Sequence, residues 1–190
     1  MWEPDGAEGH VGRVGVLLED GTVPGPVYID IGSGSGGATV TDWFCYDGSF
    51  GRPRADRMRA VCACGWASGT AYPIDWDLVP DLQPHLFDTS APEDDWAAHT
   101  REVAAAAVQL PEDIARLISQ VRERLDRLED RDPLTALRIV TALDAVIEID
   151  GTAIARTAAY KHTDREIAAA LGSTEKALTA RLRRYGVERF

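Results

Sequence analysis

Residues 162–185 read HTDREIAAALGSTEKALTARLRRY, and the punctuation of this stretch predicts two short helices joined by a tight turn. Thr163 with Glu166 three residues later has the spacing of a capping box, in which the hydroxyl and the carboxylate each satisfy an orphaned backbone N–H. Ile167 and Leu171 supply a buried side to the first helix, and Ala168 lets a neighbouring helix come close. Gly172 stands where a helix ends in the left-handed conformation that glycine adopts without strain. Ser173 or Thr174 then caps a second helix. That helix turns Ala177, Leu178 and Leu182 inward and sets Glu175, Lys176, Thr179 and Arg183 on the opposite face.

Upstream, helical periodicity extends back to Pro92. Residues 93–109 are Ala-rich, and Pro111-Glu112-Asp113 has the composition of a first turn, with proline and acids beside free backbone N–H groups. The helix that follows, 111–130, carries Ile114, Leu117, Ile118, Val121, Leu125 and Leu128 at steps of three and four. Such a stripe faces either the core of its own chain or a second copy across a dimer seam. Asp132-Pro133 caps and opens a further helix to about residue 149, and a separate short helix is expected over 152–160.

Before Pro80 the pattern is that of strands. VGRVGVLLEDG, PVYIDIGSG, ATVTDWFCYDG, RMRAVCACGW and TAYPIDWDLV are short runs rich in Val, Ile, Tyr and Trp, closed by Gly, Asp or Pro. They predict four or five antiparallel strands. The glycine-rich residues 32–37 lack the Lys-Ser/Thr and the following helix of a phosphate loop, and read as a hairpin connection. Residues 80–92 read as an irregular crossing. The expected fold is α+β: an antiparallel β-rich domain over 1–92, connecting and packing helices over 93–131, and a helical domain over 132–190.

No run of eighteen apolar residues occurs, and the start MWEPDGAEGH lacks the basic and apolar segments of an export signal. A cytoplasmic protein without membrane association is expected. The net charge of −11 is unevenly spread. Residues 151–190 hold eight basic side chains against four acidic ones, so the first 150 residues carry −15. That asymmetry suits a DNA-contacting end on an acidic body able to engage a protein partner. Eighteen of the twenty basic residues are Arg and asparagine is absent, a composition of high-GC, actinobacterial genomes. No nucleophile–base pair, metal-hydrolase motif or nucleotide fingerprint appears, and no enzyme is expected.

Three cysteines without an export signal do not suggest a disulfide framework. Cys62-Ala63-Cys64-Gly65-Trp66 is a compact thiol pair, and with Cys45 upstream and His99 downstream it makes a candidate Cys₃His site for structural Zn²⁺. The C-x-C-G-W string followed at a distance by W-x-x-H resembles a motif of small actinobacterial proteins, which implies ligands and no activity. Buried reduced thiols at alternate strand positions, or a redox sensor, would also account for the cysteines. His10, His85 and His162 read as surface residues, with His85 the one substitute ligand. Arg52, Arg54, Arg57 and Arg59 read either as a phosphate-contacting wing or as a charged sheet edge that blocks pairing.

The C-terminal spacing EIAxxLGxTxxALxxRL resembles the helix-turn-helix of bacterial regulators, in particular the sigma-factor region-4 type. That resemblance implies a sequence-specific DNA-binding protein, a transcriptional regulator, whose helix 174–185 enters the major groove of double-stranded DNA. Matched position by position, Thr174 caps and touches the backbone, and Glu175, Lys176 and Thr179 face bases. Arg181, Arg183 and Arg184 then serve phosphates. Glu175 departs from the basic or amide residue common there, and among base edges a carboxylate accepts from cytosine N4. A homodimer is expected, with 111–130 as its seam. The competing reading is a non-enzymatic interaction adaptor with a zinc-stapled β domain, its terminal hairpin a mere bundle corner.

Overall fold

A computed structural model describes the chain apart from residues 5, 31–35, 81–82 and 188–190, and it is α+β. The chain divides into two units, Met1–Glu102 and Val103–Phe190.

The first unit holds β1 (Gly12–Leu17), β2 (Val27–Asp30), β3 (Gly37–Val40), β4 (Arg57–Cys62) and β5 (Tyr72–Pro73). β1, β4 and β5 form an antiparallel sheet in that order, and β2 pairs with β3 in a second, two-stranded sheet. The predicted connection at 32–37 lies mostly outside the described residues, between these two paired strands. β4 alternates strictly: Met58, Ala60 and Cys62 are buried while Arg57, Arg59 and Val61 are half-buried on the other face. This two-residue period follows from the pleat. The core gathers Val14, Val16, Trp43, Tyr46, Met58 and Ile74.

β4 is the central strand, so Arg57 and Arg59 do not form a sheet edge. Arg52 pairs with Asp47 at 2.9 Å and Arg57 with Asp56 at 3.1 Å, so two of the four arginines of this run are neutralised by their own neighbours.

Helix α1 (Ser90–Ala106) buries Pro92, Trp96 and Thr100, four residues apart, along one side. Within the first unit Trp96 packs with Ala60 and Cys62, and with Trp2 and Trp66 at their margin.

The second unit contains α2 (Glu112–Glu129), α3 (Pro133–Lys161), α4 (Asp164–Ala170) and α5 (Glu175–Arg184). Asp132 caps α3 by accepting from the Thr135 N–H at 3.1 Å, with Pro133 in the first turn. The break expected near residue 150 does not occur, and α3 runs unbroken for 29 residues. A lone helical glycine costs only about 1 kcal/mol relative to alanine. Gly151 has a packing reason as well: a Cβ there would stand 3.0 Å from Cε1 of Tyr185.

Ala155 on α3, Ile167 and Ala168 on α4, and Leu178 and Leu182 on α5 share a small core with Val187. Among the described residues, no helix is long and apolar enough to cross a membrane.

Candidate functional site

Four side chains from three separate parts of the first unit converge. His10 precedes β1, Cys62 ends β4, Cys64 lies in the turn beyond, and His99 projects from α1. Their ligand atoms all lie within 4.8 Å of one another. His10 Nδ1 is 3.4 Å from His99 Nε2, Cys62 Sγ is 3.6 Å from His10 Nδ1, and Cys64 Sγ is 3.4 Å from His99 Nε2. Metal bonds of about 2.3 Å to sulfur and 2.05 Å to nitrogen, at tetrahedral angles, require edges of about 3.6 Å for S–N and 3.3 Å for N–N. The three measured edges match those lengths to within a few tenths of an ångström. The cluster can therefore hold a metal ion.

The local sequence explains each placement. After Cys62 the chain turns back on itself: Gly65 donates to the Cys62 carbonyl at 2.9 Å, and Cys62 donates to the Trp66 carbonyl at 2.8 Å. Gly65 has φ +93°, a conformation that side chains resist, and this turn sets Cys64 beside Cys62. Trp66 stacks on the His99 ring, centroids 4.3 Å apart and planes within 5°. Its backbone N–H donates to Cys64 Sγ at 3.5 Å. Trp96 Nε1 donates to the His10 carbonyl at 3.1 Å and so ties the segment before β1 to α1. Gly12 allows that approach, because a Cβ there would fall 2.5 Å from Trp96 Nε1.

His10 and Cys62 are buried, His99 is half-buried and Cys64 is exposed. Burial pushes the Cys62 thiol up. Burial, and then the charge of His10, hold the His99 imidazole below its ordinary value. A neutral imidazole is the form that ligates.

The structure brings together three of the four expected ligands: Cys62, Cys64 and His99. Cys45 is corrected. Its side chain is buried in the hydrophobic core with Trp43, Tyr46 and Met58, where burial raises its thiol pKa, and it is not among the clustered donors. His10, read as a surface residue, is 5% exposed and supplies the fourth donor. His85 sits in the Pro84–Leu86 turn and does not join the cluster. The signal for His10 lay in register. Gly12 pairs with Cys62, and the Ala63 N–H donates to the Val11 carbonyl, so the residues just before β1 must lie beside the Cys62–Cys64 turn.

In the second unit the reciprocal capping box of Thr163 and Glu166 is formed. Gly172 has φ +60°, and Thr174 caps α5 by accepting from the Ala177 N–H at 3.2 Å. Glu175, Lys176, Thr179, Arg181, Arg183 and Arg184 are exposed. Lys176, Thr179 and Arg183, at steps of three and four, lie opposite the buried Leu178 and Leu182. Arg184 leans instead toward Asp144 of α3 at 3.9 Å, and Arg181 lines an apolar groove beside Ile154 and Leu178.

No protein-family profile matches the chain, and no curated protein or solved structure matches it.

Proposed function

We propose that the protein is a sequence-specific DNA-binding protein, a transcriptional regulator, whose α5 enters the major groove. The observation that carries this reading is the capped helix, glycine turn and second capped helix of residues 163–184, whose outward face presents Lys176, Thr179 and Arg183. A helix held on a small core by one side and studded with cations and hydrogen-bonding groups on the other is the geometry a groove accepts. In this reading Thr174 and Arg183 address phosphates, and Glu175, Lys176 and Thr179 address base edges.

Selection of binding sites from genomic fragments with purified protein tests it. Affinity should fall steeply with salt; Arg183→Ala should lower the slope of log affinity against log salt by about 1, and Lys176→Ala should weaken binding and relax sequence preference. Absent or salt-independent binding overturns the reading. It would favour the adaptor.

For the cluster in the first unit we propose Zn²⁺ in a structural role. Two thiolates and two imidazoles at tetrahedral edges suit Zn²⁺, and four protein donors leave no open position for a reacting water. Bound there, the ion would tie β4, the segment before β1 and α1 into one piece. Elemental analysis should find one zinc per chain; a folded, metal-free preparation overturns the assignment.

A further inference from the structure

We propose that the α2–α3 hairpin is the interface with a second copy of this chain, two hairpins closing into a four-helix bundle. α3 buries only Ala155, near its end, and α2 buries nothing. Every residue from 141 to 150 is exposed, although Leu143, Val146, Ile147 and Ile149 lie there on several sides of the helix. Asp144, Glu148 and Asp150 interrupt this surface, yet an apolar stripe so broad is normally covered. Its own α2 covers one side only, where Val121, Leu125 and Leu128 are half-buried.

Eleven aliphatic side chains of the two helices are between 40% and 78% exposed. Together they leave on the order of 1,000 Å² open to water, against roughly 800 Å² per partner in a stable interface, and more than the largest patch of a typical monomer. The patch continues into the groove of about 400 Å³ lined by Val146, Ile147, Ile154 and Leu178.

Area and spacing point to a second copy of the same hairpin. α2 opens with Glu112 and Asp113, and its second half balances Arg122, Arg124 and Arg127 with Glu123, Asp126 and Glu129, so no net field opposes pairing with a copy of itself. The apolar steps from Ile114 through Ile118, Val121 and Leu125 to Leu128 are four, three, four and three, the seam spacing of bundled helices. The proposal stands on the exposed helices alone and does not depend on DNA binding.

Sedimentation of the full chain across a concentration series tests it. The expected result is twice the chain mass, with a thermal midpoint that rises with concentration. Leu137→Glu with Val146→Glu should weaken association by about tenfold or more. Because that variant could misfold, hydrogen exchange on the wild type is the second measurement, and protection of 137–150 should grow with concentration. A monomer at high concentration overturns the proposal. Protection of the same residues independent of concentration overturns it as well.

Discussion

His10 and Cys45 exchanged places between expectation and structure, and the exchange rests on one hydrogen-bond register. Gly12 opposite Cys62 carries the preceding histidine to the thiols, while Cys45 is turned into the aromatic core beside Trp43. A side chain's identity shows that it can ligate; only its partner across the sheet shows whether it meets other ligands. The two residues therefore give opposite mutational outcomes. His10→Ala should lower zinc affinity by about 100-fold or more, since even outer-sphere partners are worth 10–100-fold. Cys45→Ser should keep one zinc per chain while lowering stability, because it buries a hydroxyl in an apolar cluster. Elemental analysis and thermal melts read both, and zinc retained in His10→Ala sinks the four-ligand assignment.

Among the elements, α4 is the one whose ends were most legible in advance. Its seven residues span barely two turns, too few to hold themselves, so the capping box and the burial of Ile167 and Ala168 secure it. The carboxylate of Glu166 accepts from the Thr163 N–H at 2.8 Å and its hydroxyl at 2.9 Å, which hold the Glu166 pKa below the ordinary glutamate range. A carboxylate whose folded pKa is depressed stabilises fully above its unfolded pKa, and that stabilisation is lost as pH falls through the folded value. The thermal midpoints of wild type and Glu166→Ala should therefore differ at neutral pH and converge in acid below the ordinary glutamate range. An unchanging gap would place the effect in packing rather than in the cap. α3 shows the limit of such reading: Asp150-Gly151-Thr152 looks like a stop, yet the ring of Tyr185 occupies the space a side chain would need, and the helix continues.

At the scale of the whole molecule, all four candidate metal donors belong to Met1–Glu102 and the DNA-reading candidates to Val103–Phe190. Chelation should thus perturb the first unit, reported by the fluorescence of Trp2, Trp66 and Trp96 around Cys62, and leave the far-ultraviolet helical signal of α2–α5 nearly unchanged. Loss of both signals together would mean that the two units fold as one. The sequence by itself determined the α+β class, the caps at Asp132 and Thr163, the turn at Gly172 and the pairing of Cys62 with Cys64, because each depends on residues within a few positions of one another. Tertiary structure alone decided the fourth candidate ligand, the central place of β4 and the exposure of α3. These depend on what lies opposite a residue across a sheet or a helix face, and local pattern carries no record of that.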